Sequence, residues 1–320
     1  MSPDKTLLAS FIICTRNRPQ ALLACLGSIA DAVRHVTRPE SPAAGRVPAP
    51  DDFEVLVIEN GSLPAQRLED AAVAKASDGL ARIIRRPAGN LSEARNLGMA
   101  QAAGRLLAFT DDDCLLDPEW LADALRHWRQ STRPFLIGGR VRLDDPTDLP
   151  FTVRDYPKPQ LYDCSLPPGG FIQGCNFILT RETARYIGPF DPRFGAGAIF
   201  RSGEDTDYTI RAHAAGVSVA YVPDMAVRHR HGRKTRAEVE RLNRDYAYGN
   251  GAILAKHVLH HRWLLRHLGW TLRSALLERL GGPVFDSAIG LSWHPVLCGQ
   301  LRGTLAYLLA QLSGGAGLPS

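Results

Sequence analysis

The chain lacks the sequence signs of several protein classes. Its six cysteines, in 320 residues, include no Cys-x-x-Cys pair, which argues against a zinc ribbon, a thioredoxin-like redox site and a disulfide-dense scaffold. No apolar stretch reaches the roughly 18 residues of a membrane-spanning helix. The first residues predict a strand and not a signal peptide. We therefore expect a cytoplasmic protein with reduced thiols and no transmembrane helix.

Composition and charge are those of an ordinary globular protein. The chain is 45% hydrophobic and 22% charged, which excludes a disordered chain, a collagen and a coiled coil. The formal net charge is +5, too weak to imply nucleic acid without a clustered basic patch. Such a charge suits an anionic substrate or an anionic membrane surface equally well. We expect no nucleic-acid partner.

Strand-like and helix-like segments alternate through the first two-thirds of the chain. Strands are predicted at 7–14, 53–58, 81–85 and 105–110, and helices at 20–36, 65–77, 92–103 and 118–129. This alternation predicts an α/β fold with a Rossmann-like, doubly wound, mostly parallel sheet. Ligands of such sheets bind at the carboxyl ends of the strands. Polar clusters follow three of these strands, at 15–18, 59–60 and 111–113.

The pattern changes after residue 135. Short apolar segments separated by loops rich in proline and glycine predict further strands at 136–143, 171–180 and 217–222. Beyond residue 235 the chain becomes basic and helical, with helical patterns over 236–280 and 295–312. We therefore expect the remaining strands to complete the sheet and a helical region to follow it.

Three consecutive carboxylates, Asp111, Asp112 and Asp113, follow a predicted strand. Such groups repel one another unless a cation is present. Hard oxygen ligands select Mn²⁺ or Mg²⁺, ions that are often shared with substrate phosphates. In an extended segment the side chains of Asp111 and Asp113 point the same way, which makes them the candidate metal ligands. A solvated acidic turn, or a helix N-cap before Pro118, is the alternative.

The motifs around this acidic run resemble those of a family 2 glycosyltransferase of the GT-A fold. They occur in order over about residues 7–235: SFIICTRNRP, VLVIENGS, ARNLG, FTDDDCLLDPEWL, GCNFILTR, GEDTDYTIR and AVRHRHG. The resemblance implies a metal-dependent, inverting transfer of a sugar from a nucleoside-diphosphate sugar to an acceptor hydroxyl. It also implies a catalytic domain at 1–235, with a donor half to about 135 and an acceptor half after it, followed by a helical region at 236–320.

The resemblance implies a donor site on the first half of the chain. The residues that would contact the nucleotide or its diphosphate are Thr15, Arg16, Arg18, Glu59, Arg95, Asn96 and Asp112. Glu59 would contact the base of a UDP- or dTDP-sugar, at a position where Asp is commoner. A guanidinium such as that of Arg95 suits a diphosphate, and a surface salt bridge with Glu93 or Asp111 is the alternative.

The segment GEDTD, at 203–207, precedes a predicted helix. Acidic residues are favoured there by the helix dipole alone, but the resemblance implies that Asp205 is the catalytic base. A sugar hydroxyl is a poor nucleophile, and a carboxylate that accepts its proton promotes its attack on the anomeric carbon. Glu204 would position the acceptor, and Asp207 is the alternative base.

Two further motifs have implied roles. His229 and His231 face the same side of an extended segment, and the resemblance implies a histidine metal ligand here, for which we favour His229 over a basic surface loop. The basic run 228–236 also admits a phosphate contact. Gly174 and Asn176 would lie on the acceptor side, with a β-bulge or tight turn as the alternative for the glycine.

The sequence leaves open which of three surfaces the C-terminal region contacts. Its Leu, Trp and Val residues recur at near-helical spacing among basic residues. Such helices pack on the catalytic domain, join two copies in a homodimer, or lie peripherally on the inner face of a membrane.

Two other functions compete with the glycosyltransferase prediction. A sugar nucleotidyltransferase needs a glycine-rich N-terminal loop, and CTRNRPQA contains no glycine. A non-catalytic carbohydrate-binding protein would have no need of the DDD, ARN and ED motifs.

Overall fold

The computed structural model describes residues 6–38 and 47–313. Its strands are β1 (Leu7–Thr15), β2 (Phe53–Asn60), β3 (Ala81–Arg86), β4 (Gly104–Asp111), β5 (Cys114–Leu116), β6 (Phe135–Leu143), β7 (Gln160–Leu161), β8 (Asn176–Thr180) and β9 (Ser218–His229). Its helices are α1 (Pro19–Val36), α2 (Asp70–Ala76), α3 (Leu91–Gln101), α4 (Trp120–Gln130), α5 (Arg181–Ile187), α6 (Glu204–Ala214), α7 (Arg236–His257), α8 (Leu264–Arg279) and α9 (Trp293–Leu312).

The strands form one mixed, mostly parallel sheet in the order β3-β2-β1-β4-β8-β6-β9-β5, with β7 beside β9. Strands β3, β2, β1 and β4 are parallel, and β6 is parallel to β9. Alternate residues of a strand face opposite sides. Phe11 and Ile13 therefore pack with α1 and α4, whereas Ile12 packs with α3, α5 and α6. The predicted α/β, doubly wound, GT-A type of fold with C-terminal helices is confirmed.

The parallel strands end side by side. Thr15 at the end of β1 pairs with Glu59 of β2, and Cys14 pairs with Asp111 of β4. Polar clusters that are far apart in the sequence therefore meet at one edge of the sheet, as the rule for parallel sheets requires.

Strand β9 is longer than its sequence pattern indicates. The prediction ended at residue 222, and the next residue, Pro223, has no N–H to donate to a sheet. The register against β6 jumps from Gly139–Val222 to Arg140–Ala226, so a bulge removes the proline from the ladder. The strand then continues to His229, which brings this histidine to the edge where the acidic run lies.

Two other predicted elements are shorter in the structure. The helix expected over 65–77 is limited to α2, and a single 3-10 turn occupies Pro64–Gln66. The strand expected over 171–180 begins only at Asn176, because the chain before it forms turns with Gly170 at a positive φ of 73°. The turn before β8 leaves the backbone of Gly174 free for contacts other than a sheet ladder.

The C-terminal helices pack against the sheet domain. Ala252 and Ile253 of α7 share a hydrophobic cluster with Phe194, Phe200 and Ile210. Helix α9 lies along α7. One hydrophobic cluster therefore contains residues from both sides of position 235. The domain boundary expected there remains a prediction. Across 6–38 and 47–313, every helix is too short or too polar to cross a membrane.

Candidate active site

A cleft of about 1220 Å³ opens at the carboxyl ends of β1, β2 and β4 and is closed on its far side by the C-terminal helices. Most of the residues predicted from the sequence line it. These are Thr15, Arg16, Arg18, Arg95, Asp111, Asp112, Asp113, Gly174, Glu204, Asp205 and His229. The fold therefore gathers both halves of the predicted site around one cavity.

The acidic run is held by two arginines and a threonine. Thr15 Oγ1 donates to Asp112 Oδ2 at 2.7 Å. Arg18 Nη1 donates to Asp112 Oδ1 at 3.1 Å and to Asp113 Oδ2 at 2.6 Å. Burial raises the pKa of Asp112 to about 6, against the lowering effect of Arg18 and Thr15. Arg18 and Thr15 thus offset only part of the cost of burying the Asp112 carboxylate.

Arg95 is buried between the two halves of the site. Its Nη1 donates to Glu204 Oε1 at 2.6 Å, and its Nη2 donates to Asp111 Oδ1 at 3.2 Å and to the Gly174 carbonyl at 3.0 Å. Of the two salt bridges considered from the sequence, the one with Asp111 is present. Glu93 instead accepts from Arg86 at 2.8 Å.

Gly174 permits this arrangement because it has no side chain. A Cβ at this position would lie 2.7 Å from Arg95 Nη2. Its carbonyl accepts from Arg95, and its N–H donates to Asp205 Oδ2 at 2.9 Å. One peptide segment therefore connects Arg95, beside the acidic run, with the carboxylate of Asp205.

Asp205 lies in the first turn of α6 and faces the cleft. The helix begins after Gly203, whose φ of 87° is left-handed and whose Cβ, if present, would overlap Ile253 of α7. Asp205 Oδ1 accepts from the Thr206 N–H at 2.7 Å. Burial, followed by the charge of Glu204, raises the pKa of Asp205 to about 6. A carboxylate with this pKa is deprotonated at neutral pH yet remains a stronger base than an exposed aspartate.

Asp207, the alternative base, points away from the cleft. It is fully buried and accepts from Lys256 Nζ at 2.6 Å and from Arg211 Nε at 2.9 Å, with His257 Nε2 at 2.8 Å. Although burial opposes its charge, these partners hold the pKa of Asp207 far below its usual range. Its contacts are those of an anchor between α6 and α7.

The two histidines have different surroundings. His229 lines the cleft, with Nε2 3.3 Å from Asp113 Oδ1. His231 turns away, where its Nδ1 accepts from the Arg233 N–H at 3.0 Å and lies 3.4 Å from Asp148. Burial disfavours a charged His229, but Asp113 outweighs it and raises the pKa of this imidazole to about 9.

Asp111, Asp113 and His229 offer donor atoms of the kind that a divalent cation takes. Asp113 Oδ1 is buried, has no hydrogen-bond partner within the described chain and lies 3.3 Å from His229 Nε2. Asp111 is one-third exposed at the cleft. Two carboxylates and an imidazole form a donor set that suits Mn²⁺ or Mg²⁺.

Three predicted site residues are not brought to the cleft wall. Asn96 forms two hydrogen bonds with the backbone of Phe190. Asn176 is fully buried, accepts from Trp120 Nε1 and donates to two backbone carbonyls. Glu59 is buried and accepts from the Ser62 N–H, and its neighbour Asn60 lines the cavity. Asn96 thus holds the chain at Phe190, and Asn176 links strands β6 and β9 to helix α4.

Other cleft residues were not singled out individually by the sequence, although the basic run 228–236 admitted a phosphate contact. Arg233, from the basic run, lines the cavity and has a buried Nη1 without a hydrogen-bond partner among residues 6–38 and 47–313. The far wall carries aromatic side chains: Phe151, Tyr246, Trp270, Phe285 and Trp293. Nothing in a helical pattern distinguishes an aromatic residue that lines a cavity from one in a core.

The sequence profile of Glycosyl transferase family 2 matches residues 10–188. The chain is 28% identical over 271 residues to the succinoglycan biosynthesis protein ExoM of Rhizobium meliloti, which covers 82% of this chain and 80% of ExoM.

Solved structures share the fold. S. aureus TarS 1-349, in complex with UDP-GlcNAc, is 15% identical and aligns over 96% of this chain and 92% of that one, with a TM-score of 0.53. The mannosyltransferase PcManGT of Pyrobaculum calidifontis, in complex with GDP-Man and Mn²⁺, is 16% identical and aligns over 98% and 78%, with a TM-score of 0.52. At these identities the likeness establishes the fold alone.

The profile match, over more than half of the chain, defines the class of protein: it belongs to glycosyltransferase family 2. The chain is therefore a glycosyltransferase. This assignment decides between the three functions considered from the sequence.

Proposed function

We propose that the protein transfers a sugar from a UDP- or dTDP-sugar to an acceptor hydroxyl, with inversion at the anomeric carbon and with a divalent metal ion. One observation carries this proposal. The carboxylate of Asp205 and the acidic cluster of Asp111, Asp112 and Asp113 line the same cleft, and Arg95 with Gly174 connects them.

The donor nucleotide lies over the carboxyl ends of β1 and β2. Thr15, Arg16 and Arg18 line that part of the cleft. Asn60 lines the cleft directly after Glu59. The Oε2 atom of Glu59 is buried 3.8 Å from Arg67 Nε without a hydrogen-bond donor in the described chain, and a shift of the Glu59 side chain towards the cleft would let it accept from the N3–H of uracil or thymine. The structural relative TarS is in complex with UDP-GlcNAc, which supports a uridine nucleotide.

A cation at this site is held by Asp111, Asp113 and His229. When bound, Mn²⁺ or Mg²⁺ neutralises charge that develops on the departing diphosphate. The relative PcManGT is in complex with Mn²⁺. Arg95 and Arg233 line the cleft, and Arg233 Nη1 has no hydrogen-bond partner within the described chain, so both supply further positive charge for the diphosphate. Asp112 remains on the ribose side, oriented by Thr15 and Arg18.

Asp205 acts as the base for the acceptor. Its carboxylate is oriented by two backbone N–H groups, from Gly174 and Thr206, and accepts the proton of the attacking hydroxyl. Glu204, fixed by Arg95, shapes the acceptor side beside it. A single base, without a second carboxylate placed as a nucleophile, corresponds to one in-line displacement and therefore to inversion.

The acceptor lies against the aromatic far wall. Tyr246 stacks with Phe151 at 6.1 Å, and Trp270 packs edge-on against Trp293 at 5.1 Å. Aromatic faces of this kind suit a saccharide, and ExoM is a succinoglycan biosynthesis protein. We infer a glycan or glycolipid acceptor and a role in polysaccharide biosynthesis.

The outer face of the C-terminal helices suits an anionic membrane surface. Leucines between 46% and 83% exposed lie on it: Leu265, Leu272 and Leu276 of α8, and Leu301, Leu305, Leu308, Leu309 and Leu312 of α9. Exposed arginines lie on the same two helices: Arg266, Arg273, Arg279 and Arg302.

On such a surface the arginines bind anionic headgroups, and the exposed leucines enter the acyl boundary beneath them. This charge favours a bilayer over a second, equally basic copy of the chain. We infer peripheral contact with the inner face of the membrane.

Calorimetry with nucleoside diphosphates tests the donor half of the proposal. UDP and dTDP, each with Mn²⁺, should bind far more tightly than ADP. Release of diphosphate from the matching sugar nucleotide, followed with and without saccharide acceptors, tests transfer. Tight binding of ADP alone would contradict the donor assignment, and product with a retained anomeric configuration would contradict inversion.

A further inference from the structure

Three soft metal-binding groups lie together behind the acidic cluster. The sulfurs of Cys114 and Cys175 and one ring nitrogen of His229 all lie within 4.8 Å of one another. Cys114 is directly opposite His229 in the antiparallel β5–β9 pair, and Cys175 follows Gly174 at the cleft. All three are buried, and both cysteines are free thiols. Three elements distant in the sequence therefore place these groups around one point.

We propose that Cys114, Cys175 and His229 form a second metal site, specific for a thiophilic divalent cation such as Zn²⁺. Two thiolates and an imidazole select Zn²⁺ over Mg²⁺ or Mn²⁺, whose preferred ligands are oxygens. The buried Nδ1 of His229 has no hydrogen-bond partner among the described residues. Binding forms two metal–sulfur bonds and one metal–nitrogen bond, and two thiol protons pass to solvent.

The fourth ligand of a tetrahedral ion would be a water molecule, as in zinc sites with three protein ligands. Asp113 Oδ1 lies 3.3 Å from the other ring nitrogen, His229 Nε2, and can orient the imidazole from outside the ligand set. The second site is therefore built largely of sulfur and lies beside the carboxylates, not among them.

The two sites share His229, so they compete. A cation bound by the two thiolates withdraws this imidazole from the site of Asp111 and Asp113. We therefore expect Zn²⁺ to inhibit transfer, and Mn²⁺ in excess to relieve the inhibition. This consequence rests on the proposed function, whereas the binding of a thiophilic cation does not.

Cadmium provides a direct readout of thiolate ligands. The full-length, metal-free chain is kept reduced with a phosphine and titrated with Cd²⁺ while the ultraviolet band of sulfur-to-metal charge transfer is recorded. We expect the band to saturate at one Cd²⁺ per chain. Cys114→Ser and Cys175→Ser should each lose it, and Asp111→Asn should keep it.

The chain offers matched controls. Cys164 lies 3.2 Å from His213 Nε2, and Cys298 lies 3.7 Å from His294 Nδ1. Each forms a single Cys–His pair. The variant Cys164→Ser/Cys298→Ser should therefore keep the saturable band and its stoichiometry. Far-ultraviolet circular dichroism of every variant checks folding. If a serine variant unfolds, Cys175→Ala is tested in its place.

Three results would overturn the proposal: absence of the band in the wild-type chain, its survival in both Cys114→Ser and Cys175→Ser, or its loss in the control variant. Zinc inhibition of transfer is measured separately, and in Cys175→Ser it should need at least about tenfold more Zn²⁺. If the chain transfers no sugar under any condition, the proposed function fails while the cadmium titration still decides the metal site.

Discussion

Arg95 and Glu204 form a buried ion pair, with 2.6 Å between Nη1 and Oε1, that joins helix α3 to the first turn of α6. Their side chains are only 3% and 9% exposed. Because Arg95 also contacts Asp111 and the Gly174 carbonyl, it fixes the position of the acidic cluster relative to Asp205. One guanidinium thus ties the acidic cluster to the start of the helix that carries Asp205.

Replacing Arg95 by methionine should be costly to stability. The change leaves the Glu204 carboxylate buried without its cation, which destabilises a protein by about 3–5 kcal/mol. The double variant Arg95→Met/Glu204→Gln should recover most of this loss without recovering transfer. Urea unfolding of both variants measures the free energies. Equal free energies of unfolding for the single and double variants would show that the buried Glu204 carboxylate does not depend on Arg95 as its partner.

Asp205→Asn should lower turnover by roughly 10²- to 10⁴-fold, the range for loss of a general base. The amide keeps the size of the side chain but cannot accept the proton, so donor binding should change little. Initial rates and calorimetry with UDP separate the two effects.

Asp31→Asn is the control for the charge change, because Asp31 is an exposed carboxylate outside the cleft. Near wild-type turnover of Asp205→Asn would remove this residue from the role of base and turn attention to Glu204.

The pH dependence of transfer should report the base. Burial and the charge of Glu204 raise the pKa of Asp205 to about 6, and only the charged form accepts a proton. The rate should therefore hold above that value and fall by about tenfold per pH unit below it. Profiles of kcat in saturating donor and metal measure this limb. A profile that stays flat down to about pH 4 would indicate a base with an ordinary carboxyl pKa.

Removing the metal should weaken diphosphate binding sharply. The diphosphate and the acidic cluster are both anionic, so a bridging cation is needed to bring them together. Binding of UDP to the wild-type chain should be far tighter with Mn²⁺ than with EDTA.

Asp113→Asn should lose most of that difference, and the matched exposed variant Asp70→Asn should keep it. Equal affinity in EDTA would mean that Arg18, Arg95 and Arg233 hold the phosphates alone.

The leucine face of α9 should govern membrane contact. In Leu305→Glu/Leu309→Glu, two carboxylates replace exposed apolar side chains, so cosedimentation with vesicles containing anionic lipid should fall, while the wild-type chain binds them better than neutral vesicles. Leu161→Glu changes an equally exposed leucine on β7 and should have no effect. If Leu305→Glu/Leu309→Glu instead loses a dimer that the wild-type chain forms, and its vesicle binding is unchanged, the face belongs to a contact with a second copy of the chain.

The pattern of the sequence was sufficient for the sheet and for most of the cleft lining. Buried strands such as β1 and β4 are apolar runs, and their polar ends follow in the next residues. Parallel strands end at one edge, so the convergence of Thr15 with Asp111 follows from element order alone. The pattern failed at β9, where a bulge carries the strand past Pro223 to His229.

Several roles depended on contacts that no local pattern contains. Asp205 and Asp207 are two residues apart on one helix. They differ because α7, some fifty residues later, buries Asp207 against Lys256 and His257. His229 and His231 likewise differ in what lies opposite them. Asn96 is next to Arg95, yet it faces the loop at Phe190 and not the cleft.

By itself, then, the sequence determined the family, the parallel sheet and the edge at which the site forms, because hydrophobic periodicity and short motifs act over a few residues. Only the tertiary structure decided which carboxylate faces the cleft, which histidine joins the acidic cluster, and that a cysteine of β5 meets a cysteine of the turn before β8 beside it. Burial and the partners of a charge are set by segments far away in the chain, and these are what separate one aspartate, histidine or cysteine from another.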